Sequence, residues 1–384
     1  MSALRARDPI RRGRESVAGA LFALVVGLGL AVAPATSGAA GGTTPAGGGL
    51  SPGTLNGVSC VSAGSCVAVG YRGDKTLIQS WNGTAWSVVP SADLGIDSAL
   101  YGASCSSASS CMATGVYIDS SGHHALFESW NGADWSVVPS PSPGPDGITL
   151  LSVSCVSAHF CMAVGDYGNS AVIESWNGTA WSVVASPDRG TERSSLDGVS
   201  CVSVQFCVAV GNNSSKTLVE SWDGSAWSVV ASPTPGSYGD FAAVSCSSTR
   251  SCVAVGNFST GTGSGSSTPP GTLVESWDGS AWSVVANPNP SHALLYGVAC
   301  VASKSCKAVG EYAGRAGVFR SMIDSWNGTA WSVVPNPGRP ASYLYGVSCV
   351  ATTRCAAVGE YNNSAHAGSG RVLEESWNGS AWSD

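Results

Sequence analysis

The sequence predicts an all-β fold, a seven-bladed β-propeller of four-stranded antiparallel blades with one Cys-x5-Cys disulfide per blade. Three observations carry this expectation. The stretch at 80–89, Ser-Trp-Asn-Gly-Thr-Ala-Trp-Ser-Val-Val, returns six more times, so that all 14 tryptophans stand in pairs five apart: Trp81/Trp86, Trp130/Trp135, Trp176/Trp181, Trp222/Trp227, Trp277/Trp282, Trp326/Trp331 and Trp377/Trp382. All 14 cysteines likewise fall in pairs six apart. An apolar residue precedes each first cysteine by five, at Leu55, Leu100, Leu150, Leu196, Phe241, Leu295 and Leu344. These starts lie 45 to 54 residues apart, the period of a four-stranded blade.

Each unit holds four runs of strand character, in the first unit 55–60, 66–71, 76–81 and 86–89. Val, Ile, Trp and Tyr enrich them, and Gly, Asn, Ser or Pro clusters bound them. Alternation within the runs is weak: Leu77 and Trp81 share one face while Ile78 lies on the other. A sheet apolar on both faces needs cover on both sides, which blades stacked around an axis supply. Small residues, Gly-Val-Ser-Cys at 57–60 and Val-Ala-Val-Gly at 67–70, suit the crowded centre, and the Trp pairs suit the rim. A stacked β-solenoid has shorter coils than this period, and independent hairpin modules would bury little core. The last unit stops at Trp382-Ser383-Asp384 where the others continue Val-Val. Either blade seven has a short outer edge or the chain is part of a longer array.

Residues 1–39 have the layout of a secretory signal: Arg5, Arg7, Arg11, Arg12 and Arg14, an apolar run at 17–33, then small residues that permit cleavage after Ala33 or Ala39. The alternative is an uncleaved N-terminal anchor. Residues 40–54 read as a Gly/Pro/Thr-rich spacer, and 55–384 as propeller. No other run is long and apolar enough to span a bilayer. Charged residues are 11% of the chain. Removing the first 39 residues takes five of 18 basic and two of 25 acidic side chains, leaving 13 and 23. Such a Lys-poor, acidic surface excludes phosphate backbones and anionic lipid as natural partners. The expected location is outside the cell or on its surface, and no cofactor is expected.

Even, repeated cysteine pairing in an exported chain implies disulfides: Cys60–Cys66, Cys105–Cys111, Cys155–Cys161, Cys201–Cys207, Cys246–Cys252, Cys300–Cys306 and Cys349–Cys355. Metal binding would need further ligands, and His123, His124, His159, His292 and His366 follow no repeat. The Asn-Gly or Asp-Gly between paired tryptophans is the favoured centre of a tight hairpin in which both central residues take positive φ, with the indoles packing across it and against the next blade. Asn82, Asn177, Asn327 and Asn378 also begin glycosylation sequons. Turn chemistry explains them without sugar, and the Ala- and Gly-rich, Lys-poor composition is of a bacterial type.

Ser80-Trp81-Asn82-Gly83-Thr84-Ala85-Trp86 resembles the Asp-box of sialidase-type propellers, Ser-x-Asp-x-Gly-x-Thr-Trp, which sits at the turn between a blade's third and fourth strands. Here Gly follows Asn or Asp directly, and an extra Trp occupies the second position. The resemblance covers seven short stretches and implies fold rather than activity. The sialidase arginine triad and Tyr/Glu nucleophile pair cannot be placed on this chain. An acid or amide stands two before each first Trp, at Gln79, Glu128, Glu174, Glu220, Glu275, Asp324 and Glu375. Its recurrence in every blade points to a structural hydrogen bond rather than a metal ring.

Loop lengths locate the expected site. Second Cys to first Trp spans 15 to 25 residues, longest in units five (257–272) and seven (360–371), while the Cys and Trp turns never vary. Variation therefore concentrates on the face formed by second-to-third-strand loops and blade connections, where insertions serve binding. The same face gathers Tyr71, Tyr117, Asp166, Tyr167, Phe258, Glu311, Tyr312, Glu360 and Tyr361 after the second strands, and Tyr101, Tyr296 and Tyr345 in the first strands. Aromatic planes beside carboxylates suit an extracellular protein segment or a glycan; the competing expectation is that these rings plug gaps between blades. Motifs for nucleophile elbows, zinc proteases, EF-hands and phosphate loops are missing. The leading expectation is a non-catalytic binding or adhesion module. A lectin-like propeller and a polysaccharide-active hydrolase or lyase are the alternatives.

Overall fold

The computed structural model describes residues 53–141, 147–187, 193–261, 271–290, 292–314, 317–362 and 370–384. The expected export signal at 1–39, the expected spacer up to residue 52 and the centres of the two longest loops, 262–270 and 363–369, lie outside the described residues.

Seven four-stranded antiparallel sheets follow one another, each built from four consecutive strands paired in sequence order. They occupy 54–89, 97–138, 148–184, 194–229, 238–284, 294–333 and 342–383 and are blades one to seven of a β-propeller. Blade one comprises β1 (Thr54–Ser62), β2 (Ser65–Arg72), β3 (Lys75–Trp81) and β4 (Trp86–Val89). The expected runs thus hold, with the first two strands a residue or two longer. First strands of neighbouring blades contact one another all the way round, including blade seven with blade one. They are the innermost strands.

Close approach at the axis selects small residues. A Cβ on Gly57 would stand 2.7 Å from the Tyr101 carbonyl of blade two, and one on Gly297 2.8 Å from the Tyr345 carbonyl of blade seven. Serine completes the contact. Ser59, Ser104, Ser154, Ser200 and Ser245 each accept, through Oγ, the backbone N–H of the next blade's first cysteine at 2.9–3.0 Å. Ser348 does the same for Cys60, across the seam that closes the ring. Only blade six breaks this series, with Ala299 at the position. One edge N–H in each of six innermost strands is thereby satisfied across a seam, while each sheet keeps its own four strands.

Between blades lies an apolar seam, as two-sided apolar strands require. Met162, Val164, Ala171 and Ile173 of blade three pack on Leu196, Val199, Ala209, Leu218 and Trp227 of blade four. Phe127 of blade two stacks on Trp181 of blade three, centroids 3.9 Å apart. The second Trp of a blade therefore covers the preceding blade, not the next one as expected. The first Trp turns back on its own blade: Nε1 of Trp81 donates to the Ala63 carbonyl at 3.1 Å, and all seven copies repeat this. This bond joins the Trp turn to the Cys turn and puts both on one face.

All seven expected disulfides are formed, each between cross-strand partners with Cα atoms 3.9–4.0 Å apart. The Trp turn differs from expectation. Trp81 and Trp86 pair directly, leaving a four-residue loop in which Gly83 alone takes a positive φ, 95°. Asn82 instead uses Oδ1 to accept from Thr84 N–H, Thr84 Oγ1 and Ala85 N–H. In blade five the same hydroxyl and amide donors, Ser280 Oγ first, hold the Asp278 carboxyl down to about 2. The residue is a turn cap.

Candidate functional site

The opposite face is made of second-to-third-strand hairpins and the connections between blades. Thr76 Oγ1 at one such hairpin bonds Ser91 Oγ and the Ala92 carbonyl of the connection, and Ser98 N–H donates to the Asp74 carbonyl. The recurring strand-three acids anchor these connections from below. Ala92 N–H donates to Glu128, Ser140 Oγ to Glu174, Ser186 Oγ to Glu220, Ser232 Oγ to Glu275 and Asn336 Nδ2 to Glu375. Each acid is buried, and burial pushes Glu128, Glu174, Glu275 and Glu375 up to about 7. Asp324 is one methylene shorter and its carboxylate has no hydrogen-bond partner among the described residues; burial pushes it up to about 7 as well. The structural reading of this acid series is what the geometry shows.

The sequence-predicted face residues separate by strand parity. A bulge in every first strand places an extra residue opposite the second-strand glycine: Asn56, Tyr101, Leu151, Asp197, Ala242, Tyr296 and Tyr345. The second-strand glycine is obligatory there, since a Cβ on Gly70 would collide with the Thr54 carbonyl. One residue beyond the glycine, at Tyr71, Asp166, Asn212, Asn257, Glu311 and Glu360, several side chains reach the following blade. Asn212 Nδ2 donates to Asp240 at 3.3 Å, Asn257 accepts from Leu295 N–H, and Glu360 accepts from Thr54 Oγ1 at 2.6 Å. Two residues beyond it, Tyr117, Tyr167, Phe258, Tyr312 and Tyr361 pack against the core shared with the preceding blade. These five act as wedges between blades.

What remains is concentrated on blades six and seven. Tyr296 Oη donates to Glu311 at 2.8 Å, and Tyr345 Oη to Glu360 at 3.2 Å. The Tyr296 and Tyr345 rings stand 5.4 Å apart, Tyr345 stacks with Tyr343 at 6.3 Å, and Tyr343 adjoins Phe319 at 6.2 Å. A track of four rings thus runs from the innermost strands to the tip of blade six's third strand, with Glu311 and Glu360 beneath its inner end. Arg339 lies over the Tyr361 ring at 4.6 Å and is bound to Asp384. Tyr343, Phe319, Arg320 and Arg339 were not among the residues expected. Asp166 belongs to blade three, three blades from either Glu311 or Glu360.

Blade two carries a Ser-His-Asp constellation at its hairpin tip that spacing did not reveal. Ser121 Oγ and Asp119 Oδ1 both lie 3.0 Å from the same nitrogen, Nε2 of His124. A nucleophile relay needs serine and carboxylate on opposite ring nitrogens. The group is instead a turn clasp, with His124 stacked on Tyr117 at 4.8 Å. Among the described residues no three His, Cys, Asp or Glu side chains are placed to hold a metal ion.

No protein family and no curated protein matches the chain by sequence. Solved structures match it at the level of fold. YCF48 bound to D1 peptide is similar with TM-score 0.55 and 13% identity, over 84% of this chain and 92% of that one. An ulvan lyase of polysaccharide lyase family PL25, bound to -[GlcA(1-4)Rha3S]-, is similar with TM-score 0.59 and 9% identity, over 87% and 96%. The WD40 repeats of RRP9 follow with TM-score 0.53 and 12% identity, over 81% and 88%. At such identities the likeness is one of fold: the chain is a seven-bladed β-propeller.

Proposed function

We propose that the chain is an exported, non-catalytic binding module. Its partner is an extracellular protein segment seated on the face of second-to-third-strand hairpins, along the ring track of blades six and seven. The observation that carries this reading is the track itself, Phe319–Tyr343–Tyr345–Tyr296, backed by Glu311 and Glu360. Of the other blades, blade two carries a single aromatic at the bulge, Tyr101, and the rest offer Asn56, Leu151, Asp197 or Ala242, so the face has one extended run of adjoining rings rather than seven equivalent sites. That asymmetry favours a protein segment over a lectin with repeated subsites. Seven disulfides agree with export into an oxidising compartment. Both oxygens of Glu360 are taken by hydroxyl donors, which suits a positioning role better than acid–base chemistry. YCF48 with its peptide offers a propeller precedent for this mode, and the ulvan lyase offers one for the enzymatic alternative.

The test compares three immobilised proteins against envelope and culture-medium extracts of the encoding organism: wild type, Tyr343→Ala/Tyr345→Ala, and Asn82→Ala on the opposite face. A protein retained by wild type and Asn82→Ala but lost on the tyrosine variant supports the reading. Equal retention by all three overturns it. Glycan-array hits that depend on Tyr343 and Tyr345 would move the assignment to a lectin.

A further inference from the structure

We propose that the hollow beneath Arg320 in blade six binds a single carboxylate of a peptide, from a side chain or a C-terminus. This deepens the reading of the face as a binding surface and rests on it. The hollow, about 290 Å³, lies between blade six's third strand (Phe319–Trp326) and the connection to blade seven. Met322, Val333, Pro335 and Pro337 give it apolar walls, and Tyr312 and Arg320 stand at its mouth. A broader hollow against Ala313 and Gly314 shares the same two residues.

Among the described residues Arg320 is a cation without a counter-ion. Its Nη1 donates to the Gly338 carbonyl at 2.7 Å, and no carboxylate lies within ion-pair distance among the described residues. At the same register position blade one has Lys75, bound to Asp93 at 2.8 Å, and blade two has His124, bound to Asp119. In blade six the connection supplies proline and glycine instead of an acid. A guanidinium has five donors in one plane. With Nη1 engaged, the Nε–Nη2 edge is left for a two-pronged carboxylate contact. Access to that edge depends on Gly314, where a Cβ would lie 3.1–3.2 Å from Arg320 Cδ and Nε. The Tyr312 hydroxyl makes no hydrogen bond among the described residues and supplies a further donor beside it.

The surroundings select the carrier. Glu311, Glu360 and Asp240 lie inward on the same face, so a polyanion such as a chain of uronic acids running inward from Arg320 meets like charge. One carboxylate flanked by apolar groups does not. Phe319 precedes Arg320 on the same strand and begins the aromatic track on the blade-seven side, which offers seats for apolar side chains across the strand from the charge. Together these features describe a short peptide segment with one acid beside bulky apolar residues.

The experiment follows the Nε–Hε resonance of Arg320 in the ¹⁵N-arginine-labelled full chain, assigned by its disappearance in Arg320→Gln. The probes are N-acetylphenylalanine for a C-terminal carboxylate, N-acetylglutamic acid α-amide for a side-chain carboxylate, N-acetylphenylalanine amide as neutral control, and glucuronate. Either peptide carboxylate should shift the resonance saturably and bind at least tenfold more tightly than the amide, and the stronger of the two identifies the source. Tyr312→Phe should weaken that binding while leaving the melting temperature close to wild type. No saturable shift with either carboxylate, or equal binding of the amide, overturns the proposal; so does glucuronate binding as tightly as the peptide acids. If the probes fail while Tyr343→Ala/Tyr345→Ala still loses its partner, the subsite falls and the surface reading stands.

Discussion

Glu275→Gln is expected to stabilise the propeller above neutral pH and to leave it nearly unchanged below pH 5. The Glu275 side chain is fully buried, and burial pushes its carboxyl from 4.5 up to about 7 against a single opposing bond from Ser232. The folded state therefore holds this proton more tightly than the unfolded chain. Its contribution is complete below the unfolded value and is lost as pH rises through about 7. At 1.36 kcal/mol per unit, that displacement amounts to about 3 kcal/mol at alkaline pH. A neutral amide escapes the loss, and Ser232 can donate to the amide oxygen as it does to the carboxylate. Blade one already carries a neutral amide at this place: Gln79 occupies the position and is 5% exposed. Glu128, Glu174, Asp324 and Glu375 share the displacement, so the wild-type melting midpoint should fall between pH 5 and 8.5. With about 2.1 cal/mol/K of unfolding entropy per residue, Glu275→Gln should recover roughly 4 °C at the upper end. Calorimetric melts across the range read both effects, and with every cysteine paired, thiol exchange does not intrude. A wild-type midpoint that climbs with pH through this window, or a variant no more stable than wild type at pH 8.5, refutes the reasoning.

Three further outcomes follow from the packing. Ala299→Ser should supply the missing seam bond to Cys349 N–H and add about 1 kcal/mol, measured by denaturant titration; a loss of stability would show that the blade six–seven seam has no room for it. Phe127→Ala removes the ring stacked on Trp181 and should cost about 3–5 kcal/mol, with a blue shift or intensity change in tryptophan fluorescence. Cys201→Ser/Cys207→Ser should fold and cost about 2 kcal/mol, because the loop it opens is short.

Blade number, strand limits, disulfides and the fixed face were legible because each repeats seven times and period alone reveals them. The direction of the second Trp was not. Sequence treats a blade's two neighbours alike, and only the way each sheet stacks decides that Trp181 covers Phe127 rather than blade four. The candidate site was half legible. Tyr296, Tyr345, Glu311 and Glu360 stand out by type and place, but the bulge at Tyr345 breaks the two-residue alternation of the first strand. Counting back from Ser348 therefore gives the wrong side for Tyr343, and its place in the track is lost. Glu360 and Tyr361 looked like one pair, yet consecutive strand residues face opposite neighbours, so one joins the next blade and the other plugs the previous seam. The charge of Arg320 is left without a counter-ion among the described residues because a distant connection lacks an acid, which no local pattern records.

Because each sheet is built from consecutive strands of one blade, every seam, including the closing one, is held by apolar packing, and all but the blade six–seven seam by a serine bond as well. The fold is then indifferent to the order in which the blades follow one another, whereas the face is not. Tyr296 and Glu311 travel with blade six, Tyr343, Tyr345 and Glu360 with blade seven, and their rings meet because those two blades adjoin. Shuffling the repeats would preserve the ring while composing a different surface, so that new specificities arise by rearranging blades without altering a single residue.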